Sequence, residues 1–388
     1  MRCRLALVLA LAVVAGTLPL GVACAQALSA EEQQAGFLPL CNGKDLTGWI
    51  VEGEPSWSVQ DGVIHCAGGG GGWLRSAYEY ENFVWRLEYK ISPEGNSGLF
   101  IRATREGNPA FTGMEIQVLD DYGQEPDKHS AGSLYDSIAP AVNASKPAGE
   151  WNEVEVTCLG RQVRVVMNGR VIIDANLDDY PELRERARWG YIGVQNHGSV
   201  VDYRNMRMLE LDFNPLFNGK DLSGWQVIGP ECWSAVDGVL RCTGEGGGWI
   251  HTERECADFD LRLEYKISEE GNSGIFLRAP DEGEPWRTGF EVQILDDFGD
   301  EPPDTHNAGA IYDIVAPSKN MSKPTGEWNQ AEVICRGRQL TVILNGERVI
   351  DVNLDSDPRL QERAAKGYLG VQNHGNLVEF RDLRVREF

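Results

Sequence analysis

The chain is poor in basic side chains relative to acidic ones. Its 388 residues include 36 lysines and arginines against 59 aspartates and glutamates, which gives a formal net charge of −23 at pH 7. Nucleic acids and anionic membranes are bound mainly by basic surfaces, because lysine and arginine displace the counterions of phosphate. The charge balance therefore excludes that class of partner and favours a neutral small molecule.

Long apolar runs and cysteine motifs are scarce as well. After residue 25 no apolar stretch approaches the roughly 20 residues that span a bilayer, so no transmembrane segment is predicted in the mature chain. The nine cysteines include no C-x-x-C pair, which argues against a zinc cage or a dense disulfide framework. Cys66 and Cys158 have counterparts in Cys242 and Cys335. Two interpretations are therefore open, namely one disulfide bridge in each domain between these cysteines, or buried free thiols.

The first 25 residues have the pattern of a secretory signal peptide. Arg2 and Arg4 precede an apolar run at residues 5–14, and the small-residue site Ala23-Cys24-Ala25 follows. We therefore expect an exported protein, periplasmic or extracellular, whose mature chain starts with a short extension at residues 26–36. The sequence before Cys24 also fits a lipoprotein box with an acylated cysteine, which is the alternative.

The chain contains one long internal repeat. Residues 42–49, Asn-Gly-Lys-Asp-Leu-Thr-Gly-Trp, return with one substitution at residues 218–225, and Val-Gln-Asn-His-Gly at 194–198 returns at 371–375. This period is too long for a solenoid, whose units contain roughly 20–50 residues. The repeat predicts two copies of one domain, at residues 37–211 and 212–388.

Within each copy the hydrophobic pattern is that of β-strands. Residues 84–92 alternate between apolar and charged side chains, as in a half-buried strand. Asp61-Gly62 and Asn168-Gly169 are typical of two-residue hairpin turns. We predict an all-β fold, with a β-sandwich or jelly roll in each copy.

The first recurring polar segment ends in an arginine. Alternation along residues 95–102 places Gly98, Phe100 and Arg102 on one face, and Arg278 stands at the equivalent position of the second copy. Glycine lets a sugar ring approach the backbone, so this face suits a sugar platform. An arginine that pairs with a neighbouring carboxylate is the equally open alternative.

The second segment places polar residues in the middle of a strand. Alternation along residues 115–121 puts Glu115, Gln117 and Asp121 on one face. Glu115 and Asp121 are six residues apart, or roughly 20 Å at about 3.3 Å per residue, whereas the paired carboxylates of glycosidases lie roughly 5–9.5 Å apart. A conventional two-carboxylate hydrolase would need its second acid from another segment.

Four of the six histidines occupy positions that the two copies share. His129 is followed by Tyr135, and His197 lies in an Asn-His-Gly sequence. A single histidine is more often structural than catalytic, but two per domain beside glycine-rich turns leave a functional role equally open. Asn-His-Gly equally fits a turn that uses the backbone tolerance of Asn and Gly. Trp73 and Trp249 follow glycine runs, which predicts a place at the rim of a binding site.

Together with the opening Asn-Gly-Lys-Asp-Leu-x-Gly-Trp motif and a later Gly-Glu-Trp-Asn, these segments resemble the bacterial 3-keto-disaccharide hydrolase family, also described as 3-keto-α-glucoside 1,2-lyase/3-keto-2-hydroxy-glucal hydratase domains. The resemblance covers nearly all of the mature chain, twice. It implies two tandem concanavalin A-like jelly rolls acting on glycosides already oxidised at C3, and hence an upstream sugar 3-dehydrogenase. Such an enzyme would remove the C2 proton, eliminate the group at C1 and hydrate the resulting glucal.

This resemblance gives each copy the same set of candidate residues. The catalytic candidates are His129 and His306 as bases, Glu115 and Glu291 as base or acid partners, Arg102 and Arg278 as enolate stabilisers, and His197 and His374 as acids for the leaving group. The substrate-binding candidates are Asn96, Gln117, Tyr135, Trp73, Asn196, Asn272, Gln293, Tyr312, Trp249 and Asn373.

No cofactor is firmly implied by this reading. A divalent cation held by Asp120, His129 and Glu115 is an alternative hypothesis, with Asp296 as the counterpart of Asp120, although the spacing matches no standard metal motif. Two other functions stay open as well. One is a non-catalytic, carbohydrate-binding tandem module, and the other is a conventional jelly-roll glycosidase. The family function implies a small, neutral keto-saccharide as substrate, the binding module would take an oligosaccharide, and the glycosidase would cleave unoxidised glucans.

Overall fold

The computed structural model describes residues 28–388, and most of its regular structure is β. Helix α1 (Ala30–Ala35) comes first, helix α2 (Pro109–Thr112) follows β7, and two 3₁₀ turns (Leu177–Asp179 and Pro181–Leu183) follow β11. The strands of the first domain, β1 to β13 in chain order, are Leu38–Pro39, Trp49–Gly53, Trp57–Gln60, Val63–Cys66, Gly72–Tyr80, Phe83–Ile91, Asn96–Ala103, Met114–Leu119, Asn152–Leu159, Gln162–Met167, Arg170–Asn176, Gly190–Asn196 and Val201–Glu210.

The second domain repeats this order. Helix α3 (Pro285–Thr288) matches α2, and a 3₁₀ turn (Leu354–Ser356) followed by helix α4 (Pro358–Gln361) matches the two 3₁₀ turns. Its strands, β14 to β26, are Asn214–Pro215, Trp225–Ile228, Trp233–Val236, Val239–Cys242, Gly248–Cys256, Phe259–Ile267, Asn272–Ala279, Phe290–Leu295, Asn329–Arg336, Gln339–Leu344, Glu347–Asn353, Gly367–Asn373 and Val378–Glu387.

Each domain consists of two antiparallel sheets. In the first domain the eight-stranded sheet has the order β11-β10-β9-β6-β13-β4-β3, with β1 also paired to β13, and the five-stranded sheet has the order β2-β5-β12-β7-β8. The second domain has the same arrangement, as β16-β17-β26-β19-β22-β23-β24 with β14 on β26, and β15-β18-β25-β20-β21. This architecture confirms the predicted all-β fold of two tandem jelly-roll sandwiches.

The core of each domain lies between its two sheets. Along β6 every second side chain is buried, as the alternation of residues 84–92 predicts, and Trp85 and Tyr89 are fully buried. Burying a large apolar side chain contributes about 1.5–3 kcal/mol, so this face stabilises the sandwich. Asn168 and Gly169 have φ of +49° and +75°, as a tight hairpin turn between β10 and β11 requires.

The seven described cysteines are free and buried. The structure therefore has the free thiols, and the bridges Cys66–Cys158 and Cys242–Cys335 are not formed. The predicted signal peptide, with Cys24, lies outside the described residues, so export stays a prediction. Within residues 28–388 no helix is long and apolar enough to cross a membrane.

A buried arginine joins the two domains. Arg262 on β19 has 2% of its side chain exposed and pairs with Glu332 of its own domain at 2.7 Å. It also bonds to Glu210 at the end of β13 and donates to the backbone oxygen of Glu79 at 2.7 Å. The ring of Phe213 lies 4.4 Å from the guanidinium. Because a buried charge is tolerated only when it is well paired, these contacts fix how the domains dock.

Candidate active site

The first domain carries a groove on the face of its five-stranded sheet that points away from the core. The groove has two lobes, which share Asn108, Gln195 and His197. The larger lobe has a volume of ≈ 450 Å³ and lies against Trp73. The smaller lobe has a volume of ≈ 170 Å³ and contains Glu115. Together they are large enough for a small ligand.

Glu115 is the one carboxylate that lines this groove within residues 28–388. Every second residue of β8 from Met114 enters the core, so Glu115 and Gln117 point outward, as predicted. The carboxyl lies flat over β7, since a Cβ atom at Gly98 would be 1.9 Å from Glu115 Oε1. Burial without a charged partner raises the pKa of Glu115 to about 8.

Amide side chains and a phenol surround this carboxyl. Gln117 Nε2 donates to Asn96 Oδ1 at 3.2 Å, so the Asn96 nitrogen is the end of that amide available to a ligand. The backbone N–H of Tyr135 donates to the Glu115 carbonyl at 2.9 Å and places the phenol beside the carboxyl. Gln195 Oε1 is buried without a hydrogen-bond partner in the described part of the chain. Such an acceptor costs about 1–3 kcal/mol, which is expected where a ligand hydroxyl binds.

Trp73 forms a wall of the larger lobe. Its ring packs edge-to-face on Phe100, with 5.4 Å between centroids. It also covers Gly193 of the neighbouring strand, where a Cβ atom would lie 2.5 Å from Trp73 Cε3. The ring is 5% exposed, so the residue expected at the rim is a largely buried wall.

The second domain repeats the central carboxyl. Glu291 lies over Gly274, where a Cβ atom would be 2.2 Å from Glu291 Oε1. Burial raises the pKa of Glu291 to about 8, as for its counterpart. Gln293 Nε2 lies 3.5 Å from Asn272 Oδ1. Gln293 Oε1 and Gln372 Oε1 are buried, and neither has a hydrogen-bond partner within residues 28–388.

The short helix beside the carboxyl differs between the copies. Trp286 on α3 takes the position of Ala110 on α2, and its ring packs edge-on against Tyr312, with 5.7 Å between centroids. Arg287 replaces Phe111 at the next position. The two domains therefore share a buried glutamate and differ in the wall beside it.

The predicted base His129 does not line the groove. It stands on an exposed loop with 55% of its side chain exposed. Its ring packs edge-on against Tyr135, with 5.2 Å between centroids, and His306 packs on Tyr312 at the same distance. Both histidines therefore lie behind the tyrosines, whereas the Glu115 carboxyl lines the groove.

The two arginines predicted to stabilise an enolate are structural. Arg102 has φ of +51°, and this left-handed residue breaks the alternation that would turn its side chain into the groove. Its buried guanidinium donates to the carbonyl oxygens of Glu81 at 2.9 Å and Gly160 at 2.8 Å. Arg278 has φ of +48° and pairs with Asp258 at 3.0 Å. This is the pairing with a neighbouring carboxylate that the sequence left open as the alternative to a sugar platform. Both arginines tie turns together instead of facing a ligand.

The acidic residues after β8 hold loops. Asp121 is buried and accepts a backbone N–H at 2.9 Å, and Asp120 and Asp296 each accept a backbone N–H at 2.9 Å. Within residues 28–388 no group of three or more His, Cys, Asp or Glu side chains could hold a metal ion. The suggested cation set of Asp120, His129 and Glu115 is therefore not brought together.

The Asn-His-Gly sequence is a turn that presents a histidine. Asn196 Oδ1 accepts from the Gly198 N–H at 3.0 Å, and Asn196 Nδ2 donates to the Gly69 oxygen at 3.0 Å. The amide of Asn196 is thus occupied by the protein, and Asn373 makes the corresponding contacts. His197 is exposed and lines both lobes, so it is the histidine placed to meet a ligand.

Gln195 and Asn108 line both lobes, although the sequence patterns did not single them out. A signal for Gln195 was present, because Gln195 and Gln372 hold the same place in a repeated sequence and follow a core valine, Val194 or its counterpart. Alternation then turns the glutamine outward. Asn108 has no such signal, since Glu284 stands at its position in the second copy.

Fold and groove together define a tandem jelly-roll protein with a buried glutamate on the outer sheet face of each domain. Residues 36–209 and residues 212–386 each match the sequence profile of a family described as the 3-keto-alpha-glucoside-1,2-lyase-like domain. The two matches cover most of the chain, so the chain belongs to this family, and the resemblance seen in the sequence is confirmed.

Individual relatives match about half of the chain. A 3-keto-disaccharide hydrolase of Bacteroides thetaiotaomicron is 28% identical over 230 residues, which covers 46% of this chain and 79% of that protein. Crystal structures of two candidate glycosyl hydrolases of Parabacteroides distasonis are 26% and 29% identical. The matches cover 46% and 45% of this chain and 94% and 99% of theirs, each with a TM-score of 0.41.

Replacing Glu115 with glutamine should change how stability depends on pH. With a pKa of about 8 in the folded protein against an ordinary 4.5, the native state holds a proton that the unfolded chain loses first. The contribution of this group is therefore present at low pH and is lost as pH rises through about 8. We expect wild type to lose stability relative to Glu115→Gln between about pH 5 and pH 9.

Urea unfolding at a series of pH values measures this difference. The quantity compared is the free energy of unfolding obtained from the transition of the first domain. Glu185→Gln, which alters an exposed glutamate of the same domain, is the matched control and should run parallel to wild type. A Glu115→Gln curve that also runs parallel to wild type would show that the carboxyl ionises normally.

Proposed function

We propose that this protein is a carbohydrate-active hydrolase that cleaves glycosides carrying a ketone at C3, by elimination followed by hydration. The observation that carries the proposal is the buried, unpaired Glu115 carboxyl of the groove, repeated by Glu291. Membership of the 3-keto-α-glucoside-1,2-lyase-like family supports it, as does a relative named a 3-keto-disaccharide hydrolase.

The chemistry begins at the carbon next to the ketone. A C3 carbonyl acidifies the C2 hydrogen, so a carboxylate base removes that proton and an enolate forms. The electron pair then returns to form the C1–C2 double bond as the C1–O bond breaks, and the leaving oxygen takes up a proton. Water adds across the double bond of the glucal, and the sum of the steps is hydrolysis.

One carboxyl suits this route better than direct glycoside hydrolysis. A conventional glycosidase needs two carboxylates roughly 5–9.5 Å apart, flanking the bond. Among the described residues that line the groove, Glu115 is the one acid. A carboxylate with a raised pKa is also a stronger base than an ordinary one, which favours removal of a carbon-bound proton.

Neutral donors replace the arginines in the proposed enolate site. The Asn96 amide and the Tyr135 hydroxyl line the lobe that contains Glu115. Preorganised donors of this kind stabilise a developing oxyanion, and removing one typically costs about 10²–10³ in kcat. His197 lines both lobes and is the proposed acid that protonates the leaving oxygen.

Product analysis distinguishes this function from its rivals. Incubated with 3-keto-trehalose, the protein should release free glucose together with a transient enone absorbance, which decays as water adds to the double bond. Plain trehalose should be untouched because its C2 hydrogen is not acidic. Release of glucose from unoxidised glucosides would instead indicate a conventional glycosidase. Binding of saccharides without any product would indicate a carbohydrate-binding module.

Paired variants test the base. Glu115→Gln together with Glu291→Gln should reduce kcat on 3-keto-trehalose by about 10²–10⁴. His129→Ala together with His306→Ala is the matched control and should have a smaller effect, because these rings lie behind the tyrosines. Since the base must be ionised, kcat/KM of wild type should rise with pH and level off above about 8.

The reverse ranking of the two double variants would return the base role to the histidines. A kcat/KM that falls as pH rises through 8 would make the glutamates acids. The single glutamine variants then divide the activity between the two domains, because each removes one carboxyl and keeps its shape.

We propose further that the enzyme acts outside the cytoplasm, on the signal pattern of residues 1–25. N-terminal sequencing of the protein recovered from its producing cells should find Gln26 as the first residue. A chain that begins at a lipid-modified Cys24 would identify the lipoprotein alternative, and an intact Met1 would contradict export.

A further inference from the structure

Two cysteine thiols meet at strands β16 and β17, at one edge of the eight-stranded sheet of the second domain. Cys232 comes directly before β16 and Cys242 is the last residue of β17, and their Sγ atoms are 3.5 Å apart. The backbone fixes this approach, since Trp233 is paired with Cys242 in the strand register and Thr243 N–H donates to the Cys232 oxygen at 3.0 Å. Both thiols are buried. No other two cysteines within residues 28–388 have their sulfurs in contact.

The first domain lacks this pair and uses a serine in its place. Ser56 stands where the second domain has Cys232, directly before Trp57, which is paired with Cys66. Ser56 Oγ donates to the Gly69 oxygen at 3.2 Å and so ties the glycine-rich loop between β4 and β5 to the start of β3. The hydroxyl that anchors this loop in the first domain is therefore absent from the second.

The cysteine pair in the second domain is connected to the turn that carries His374. Asn373 Nδ2 donates to Cys232 Sγ at 3.2 Å and to the Glu245 oxygen at 3.0 Å. Asn373 Oδ1 accepts the Gly375 N–H at 3.0 Å, which closes the turn around His374. One sulfur thus touches the residue that joins the glycine loop to the histidine turn.

We propose that Cys232 and Cys242 form a disulfide that anchors the glycine loop and the histidine turn of the second domain. The oxidant is a low-molecular-weight disulfide such as oxidised glutathione. One cysteine thiolate attacks it and releases one glutathione, and the second cysteine displaces the other glutathione from the mixed disulfide. The two cysteines lose two protons and two electrons, and the glutathione disulfide becomes two thiols.

The burial of the pair sets when this exchange takes place. Burial raises the pKa of Cys242 to about 12, so the reactive thiolate is scarce in the folded domain. The bond forms as the chain folds, while oxidant still reaches the sulfurs. Once the domain has closed, the same burial protects the bond from external thiols.

Peptide mapping tests the pairing. The full chain is refolded with a reduced and oxidised glutathione mixture, or with a reductant alone, and free thiols are alkylated in denaturant before digestion. We expect a peptide that links Cys232 to Cys242 in the glutathione sample and its absence in the reductant sample. The same map of protein folded in an oxidising compartment should show the link as well. Complete alkylation of both residues in the glutathione sample, or a link from either to a third cysteine, would overturn the proposal.

Serine and cysteine exchanges between the domains provide matched variants. Cys232→Ser installs the residue of the first domain, so it should lose the linked peptide and its melting temperature should not respond to reductant. For wild type, reduction should lower the melting temperature of the second domain by about 5 °C. Ser56→Cys should create a second linked peptide, to Cys66. An equal reductant response in wild type and Cys232→Ser would contradict the proposed bond, and the wild-type map decides the question if a variant fails to fold.

Discussion

The packing of a carboxyl group against a glycine is the constraint on which the candidate site of each domain depends. Glu115 lies so close to Gly98 that even a methyl group there would overlap its oxygen, and Glu291 lies over Gly274 in the same way. The antiparallel pairing of β7 with β8 sets this contact, because it places Gly98 opposite Gln117, next to Glu115 on the same face. A carboxyl held against backbone loses water without gaining a cation, and its raised pKa follows from that loss.

A second repeated contact explains how two sandwiches form one body. Glu32 of α1 bridges Arg86 and Arg207 in the first domain, and Glu210 at the end of β13 bridges the equivalent arginines of the second, one of which is Arg262. The Arg86 side chain is 34% exposed, whereas that of Arg262 is 2% exposed because the first domain covers it. A guanidinium charge buried to this extent is stable only while its partners are present. Docking of the two domains and folding of the second domain are therefore coupled.

The fold could be predicted from the sequence because its signals are local and occur twice. Alternation along β6 and β8 predicted which side chains enter the core, and it placed Glu115 correctly. The face predicted for Arg102 was wrong, because its left-handed backbone interrupts the alternation along β7 and a sequence pattern does not reveal φ. The position of His129 outside the groove could not be predicted, for another reason. Its distance from the carboxyl depends on a loop that folds back along β8, and this contact lies beyond the reach of local pattern.

The differences between the copies indicate which parts of the site vary independently. Arg186 holds α2 by donating to the Ala110 and Gly113 oxygens, and Arg363 holds α3 by the same two contacts. The backbone of this wall is thus anchored in the same way in both domains. Its side chains differ, because Trp286 replaces Ala110 and the residue after it changes from neutral to charged. The buried carboxyl and the wall beside it therefore depend on different parts of the fold, because one is fixed by strand pairing and the other by side chains on a short helix.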